Sequence, residues 1–276
     1  PGGVSKKLTE EKRREFLKHA KEAVEFAQFS LKAFDDIVLK NKDYLSLITG
    51  DIYKHETYYM GLVDENNKVN LYEGKIRVVN PEGKEYTKFA AKDYLYHIKE
   101  RVEPWSYIKF PYLKNVGWKG FEDGKESGVY RVAPLARLNV SEGMATPLAQ
   151  AEYEKMYELL GGKPSHYTLA FHWARLVEVL YLAEHLVELL EDKSITSDDI
   201  RNIPTEKPTE GVGVVEAPRG TLIHHYKTDE QGLVTAVNLI VATVGNSAAM
   251  SMSIAKAAKK LINNGVYNDK ILNMVE

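Results

Sequence analysis

The chain has 276 residues, 44% hydrophobic and 28% charged, an ordinary composition for a globular core, and residues 1–276 are expected to form a single domain. Lys and Arg number 37 against 39 Asp and Glu, a formal net charge of -2, so no basic field exists for gripping phosphates and nucleic acid is not an expected partner. Cysteine is absent, which rules out disulfides, thiolate metal sites and cysteine nucleophiles within these residues, and no apolar run approaches the roughly 18–20 residues needed to span a bilayer. The opening Pro1-Gly2-Gly3-Val4-Ser5 has no signal-peptide hydrophobic stretch, and a first residue other than Met points to a processed chain or an excised fragment.

Thr9 reads as a helix N-cap, with Glu10 and Glu11 suited to the positive end of the helix dipole. Phe16, Ala20, Ala23, Ala27, Leu31, Phe34 and Val38 then recur at helical spacing, predicting one long helix over 9–48, bent near Asn41 and ended by Gly50. Residues 52–86 predict a small antiparallel meander: Tyr58–Val63 and Val69–Tyr72 flank one turn, and Lys75–Val79 leads into a second at Asn80-Pro81-Glu82-Gly83. A short helix is expected near 90–102. Residues 103–150 are rich in aromatics, Gly and Pro with weak periodicity, which points to a packed or functional segment.

From Thr168 to Asp192 the helical pattern is strong, through Leu169, Trp173, Leu176, Leu180, Ala183, Val187 and Leu190. Residues 201–210, with Pro204 and Pro208, form a loop, and 211–226 and 232–243 predict strands around the turn Thr228-Asp229-Glu230-Gln231. Asn246 reads as the N-cap of a helix over 246–264 whose small residues permit close approach, so this helix is expected to run through the middle of the molecule. A last short helix opens at Asn268, and there is no internal repeat. The fold class expected is α+β, mainly α: helices 9–48, 168–192 and 246–264 packed as a bundle, with small antiparallel β-sheets at its edge.

Few residues announce chemistry by themselves. None of the eight histidines stands in a His-Glu-x-x-His pattern. His224 and His225 fall in a predicted strand and point to opposite faces, so one packed and one exposed is the plain reading. His172 and His185 lie in the 168–192 helix, where a core or interface role is the default. Gly211-Val212-Gly213 lacks the third glycine and the following helix of a dinucleotide fingerprint, and Gly161-Gly162-Lys163 is a turn. The most suggestive segment is Glu216-Ala217-Pro218-Arg219-Gly220. Pro218 cannot continue a ladder, so the strand is interrupted with an arginine beside a glycine. Two readings stand: a bulge with a surface ion pair, or a guanidinium aimed into a closed site to bind an anionic or partly negative group.

Longer segments carry more. Gly211-Val212-Gly213-Val214-Val215-Glu216-Ala217-Pro218-Arg219-Gly220-Thr221-Leu222-Ile223-His224-His225 resembles a signature of the large, active-site subunit of nickel–iron hydrogenases. So do Lys109–Lys114, Tyr130–Val140 and Leu239–Asn246, in the same order along nearly the whole chain. The variant resembles the cytoplasmic, bidirectional members, and a cytoplasmic location is expected.

The resemblance implies a nickel–iron centre whose iron carries two cyanides and one carbon monoxide, held by one Cys-x-x-Cys near each end of the subunit. It places the first pair upstream of Pro1 and the second shortly after Glu276. No metal ligand is therefore expected in this chain, nor activity or a bound centre from it alone. By the same resemblance, Arg219 matches a catalytic arginine lying over the metal pair and hydrogen-bonding a cyanide; a role as base would be demanding at its high pKa. Pro218 shapes the backbone beside it. Thr243 matches a Ser or Thr whose hydroxyl serves the second cyanide, and Ala242 stands where the family often has Pro. His224 and Asn246 match positions whose donors fix the geometry of the ligands, and Glu216 is read as structural. The implied partners are an iron–sulfur small subunit, further electron-transfer subunits and maturation factors.

Two other classes compete. The quinone-site subunit of respiratory complex I shares the fold without the metal cysteines, although Ala217-Pro218-Arg219-Gly220 and Ala136–Val140 look like the catalytic branch. A plain helical interaction protein would not predict the order of the four segments.

Overall fold

In the computed structural model, residues 3–275 are described. Pro1, Gly2 and Glu276, the ends beyond which the cysteine pairs are expected, lie outside them. Helix α1 (Glu10–Phe34) begins as its cap requires, with Thr9 Oγ1 accepting from the Lys12 N–H at 3.3 Å. The predicted 9–48 helix is not continuous. Asp35–Leu39 widen into one π turn, and Asn41 caps a separate helix α2 (Lys42–Ile48) by accepting from the Asp43 N–H at 3.0 Å. That side chain competes for backbone donors, which starts a new helix where a bend was expected.

The meander is β1 (Tyr58–Val63), β2 (Lys75–Val79) and β3 (Glu85–Phe89). Val69–Tyr72 does not form the expected strand; Val69 makes one isolated bridge to Val63, and β2 takes its place beside β1. Asn70 Oδ1 instead accepts from the N–H groups of Tyr72 and Glu73, which folds the segment into a turn. The helix expected near 90–102 shrinks to one turn, α3 (Tyr94–His97), followed by strand β4 (Ile98–Val102). Ile98 and Val102 are β-branched, and the whole strand finds an antiparallel partner in β5 (Lys109–Leu113). A two-residue strand β6 (Tyr130–Arg131) pairs parallel with β1, completing a sheet of order β3-β2-β1-β6.

The segment without clear periodicity holds the most buried helix, α4 (Pro134–Val140), all seven residues of which are buried. It lies directly on β1: a Cβ at Gly61 would sit 3.2 Å from the Arg137 Cα, so that strand position needs glycine for the helix to approach. Beside it run α5 (Pro147–Leu159) and α6 (Ala170–Glu191). Trp173 of α6 is fully buried against Phe34, with ring centroids 5.9 Å apart, and its Nε1 donates to Glu152 at 3.0 Å. Helices α1 and α6 pack together as expected, and the third member of the bundle is α5 in place of the helix expected over 246–264.

The remaining sheet is an antiparallel run of β7 (Glu210–Ala217), β8 (Gly220–Thr228) and β9 (Val234–Ile240). The predicted 211–226 strand is thus two strands, and Pro218-Arg219 is the turn of a tight hairpin closed by the Ala217 and Gly220 pair. A 3-10 turn at Ala242–Asn246 leads into α7 (Ser247–Leu261), with α8 (Asp269–Val275) after it. Helix α7 is neither in the bundle nor in the middle: Ala248, Ala249, Met252 and Ala257 are buried while Met250 and Ile254 face outward. Its small residues serve a one-sided approach to β5 and β6. No helix among the described residues is long and apolar enough to cross a membrane.

Candidate functional site at the hairpin tip

The β7–β8 turn, the 3-10 turn before α7 and the start of α4 meet around Val132. Its side chain is wedged between two glycines: a Cβ at Gly220 would fall 2.2 Å from Val132 Cγ2, and one at Gly245 would fall 2.9 Å from the same atom. Gly220 also has φ +130°, a backbone region that favours glycine. Asn246 ties the three pieces together. Its Oδ1 accepts from the Val132 N–H at 2.9 Å, and its Nδ2 donates to the Arg219 carbonyl at 3.3 Å. It stands at the start of α7, as expected, yet it makes no side-chain cap there because both ends of its amide are used across the site.

Pro218 and Arg219 are exposed at the tip. The Arg219 guanidinium has no hydrogen bond or ion pair among the described residues, while its backbone is anchored. Ala242 is buried and Thr243 half-buried in a turn that packs against β8, so Pro218, Arg219, Ala242, Thr243 and Asn246 share one end of the hairpin. His224 is not brought into this group. It lies four residues along β8, opposite Gly213 and Leu239, with Tyr226 Oη 3.4 Å from its Nδ1. The two histidines divide as their alternation requires: His224 is half-buried, and His225 is buried between Tyr94 Oη at 3.0 Å and Glu210 Oε1 at 2.8 Å.

Beneath the tip is a charged cluster that the sequence disclosed only through Glu216, expected to be structural. Arg137, 1% exposed, forks onto Glu178 with Nε–Oε1 at 2.5 Å and Nη2–Oε2 at 2.7 Å. Its Nη1 donates to Glu216 Oε2 at 2.8 Å and to the Ala217 carbonyl at 3.0 Å, and Nη2 reaches the Pro218 carbonyl at 3.5 Å. Glu216 Oε1 accepts from the Leu62 N–H at 2.9 Å and the Thr221 hydroxyl at 2.7 Å, which locks the hairpin base to β1. Burial alone would lower the Arg137 pKa; the charges and hydrogen bonds of Glu178 and Glu216 outweigh it and hold the pKa above the ordinary arginine value. One cation between two carboxylates leaves the cluster formally one negative charge in excess. The signal for it was available: an arginine inside the apolar run Pro134–Val140 needs a buried acid, and Glu178 lies on the apolar stripe of α6.

A second buried arginine stands one residue before Val132. Arg131 donates to Thr57 Oγ1 at 2.9 Å, Tyr59 Oη at 2.5 Å, Thr168 Oγ1 at 3.2 Å and the His55 carbonyl. Burial, and then the charge of Arg131, lowers His55 and His166 to pKa values of about 4. Burial pushes the Tyr59 hydroxyl up to about 12.

The chain contains no cysteine, and no three His, Cys, Asp or Glu side chains gather to hold a metal ion among the described residues. The groups at the hairpin tip are a guanidinium, a hydroxyl and an amide. Such donors suit the electron-rich outer atoms of ligands on a metal centre; they supply no bond to the metal.

A family model described as nickel-dependent hydrogenase matches residues 11–270. An iron-sulfur subunit of the F420-non-reducing hydrogenase of Archaeoglobus profundus is 51% identical over 277 residues, covering 100% of this chain and 57% of that protein. The NAD-reducing hydrogenase HoxS subunit beta of Cupriavidus necator is 36% identical, covering 100% of this chain and 56% of that protein. A crystal structure of an NAD+-reducing [NiFe]-hydrogenase in the H2-reduced state superposes with a TM-score of 0.88 at 33% identity, covering 100% of this chain and 58% of that one. The chain thus spans little more than half the length of the relatives it matches.

Proposed function

This chain belongs to the nickel-dependent hydrogenase family, and from that premise we propose that it is the central part of an active-site subunit catalysing H2 ⇌ 2H+ + 2e−. The carrying observation is the hairpin tip, where a backbone-anchored turn presents an arginine whose guanidinium has no partner among the described residues. When bound, the nickel–iron centre supplies the redox and hydrogen-binding chemistry, on cysteines that this chain does not contain. The chain's own residues form a cover of donors. Arg219 would hydrogen-bond an iron-bound cyanide and place positive charge beside the centre. Binding and electrostatic stabilisation are the first roles of a planar, multiply donating guanidinium. The Thr243 hydroxyl would serve the second cyanide, with Pro218 and Ala242 shaping the backbone on either side. Asn246 holds the Arg219 carbonyl and fixes the turn. His224 belongs to the surrounding strand, one step removed from these donors.

Electrons leave through iron–sulfur clusters of a small subunit, since no cysteine here could hold a cluster within these residues. The acceptor is set by other subunits, and relatives are named both for F420-non-reducing and for NAD-reducing hydrogenases. Two measurements on the full-length, matured subunit test the reading. Metal analysis should find nickel and iron in about equal amounts; a matured subunit lacking nickel refutes it. Arg219→Lys should slow hydrogen turnover by on the order of a hundredfold, the scale of a lost preorganised donor, with both metals retained. Unchanged turnover would reduce Arg219 to scaffold.

A further inference from the structure

The three successive carbonyls of the hairpin tip are all held from outside the hairpin. Arg137 of α4 donates to those of Ala217 and Pro218, and Asn246 donates to that of Arg219. A turn at a sheet end ordinarily leaves its two central carbonyls, here those of Pro218 and Arg219, to water. Arg137 moreover spends every donor it has: two on Glu178, one on Glu216 and two on the turn. Neutralising the two carboxylates would not require the contacts to the turn. The carboxylates come from different elements, Glu178 from α6 and Glu216 from β7, so the guanidinium plane is set by the helical core and passed on to the backbone just before Arg219.

The geometry points to Arg137 as a positioning residue for Arg219: a buried fork, oriented by Glu178 and Glu216, that sets the backbone of the 217–219 turn and so aims the side chain it presents. The inference rests on the role proposed for Arg219. A lysine at 137 would keep the charge between the two acids but offers a single point of donation, so it cannot bridge both acids and both turn carbonyls.

The test uses the full-length, matured subunit in its complex, comparing Arg137→Lys, Arg219→Lys and the double variant. Readouts are turnover, nickel and iron content, unfolding temperature and the infrared stretching bands of the iron-bound cyanides. Arg219→Lys reports on the underlying reading: normal turnover with unmoved bands there ends that reading whatever Arg137 does. Given an effect at Arg219, Arg137→Lys should keep both metals, slow turnover by about tenfold to a hundredfold, as for a misplaced catalytic group, and shift the cyanide bands in the same sense. In the Arg219→Lys background it should add less than about twofold, because both changes act on one interaction. Unmoved bands with normal turnover, or losses that multiply fully in the double variant, would overturn the positioning role. Should Arg137→Lys fail to mature, Glu178→Gln decides. It keeps the shape, breaks the paired carboxylate contact and leaves the turn residues untouched; a smaller shift of the same bands supports the role, and unmoved bands with normal turnover overturn it.

Discussion

Gly220→Ala should be among the most damaging single-methyl additions in the chain. The new Cβ would lie 2.2 Å from Val132 Cγ2, 2.8 Å from Val132 Cβ and 3.1 Å from the Ala133 nitrogen. The last is backbone and cannot swing away. Val132 has no room to retreat, since its Cγ2 already packs on Gly245 and its side chain is fully buried. Overpacking of this kind costs about 1–3 kcal/mol, and a non-glycine residue at φ +130° adds about 1–3 kcal/mol more. With neither neighbour able to yield, a loss of about 4 kcal/mol is expected. Urea unfolding of the full-length subunit measures it. Gly213→Ala is the control: Gly213 is on β7, has nothing within 4 Å of its Cβ position, and should stay within about 0.5 kcal/mol of the wild type. Adding Val132→Ala to Gly220→Ala should recover the steric share and leave the backbone share. A Gly220→Ala protein as stable as the control would refute the packing argument, and full additivity with Val132→Ala would refute the wedge.

Two further outcomes follow from the buried charges. Glu216→Ala strands the Leu62 N–H and leaves Arg137 with one acid, so stability should fall by roughly 3 kcal/mol, the lower range for a broken buried pair because Glu178 remains; a loss below about 1 kcal/mol in denaturant unfolding would contradict this. His55 and His166 have folded pKa values of about 4 against 6.5 for the unfolded chain, so between those values the unfolded state binds more protons. Stability should therefore fall as pH drops from 6.5 toward 4, each histidine contributing at most about 1.4 kcal/mol per pH unit. His166→Gln should flatten the dependence of the unfolding midpoint on pH over that window, and an unchanged slope would count against the assignment.

Which features the sequence disclosed follows from the range of the forces behind them. The Thr9 cap, the 168–192 helix and the turn at 228–231 are local, and each formed within a few residues of its expected bounds. The helix expected near 90–102 failed because β5 lies beyond it in sequence and offered Ile98–Val102 a ladder. Helix α4 escaped notice because seven residues without a polar face have no periodicity to read. Pro218 announced that the strand stopped but not that it reversed, which shows only in the structure, where Ala217 pairs with Gly220 across the turn. The resemblance supplied Arg219, Thr243 and Asn246 as names. What it could not supply was how they are held, because those bonds join residues 79 and 114 positions apart, in Arg137–Glu216 and Val132–Asn246. An arginine in an apolar helix is visible in a sequence; the acid that allows its burial and the carbonyls it orients emerge only when three distant elements close on one another. The chemistry proposed for Arg219 would therefore sit on a turn whose local sequence is sparse, held from the core beneath it. On the proposed reading, that arrangement leaves the Arg219 side chain free for a metal centre's ligands while the turn's backbone is held by Arg137 and Asn246.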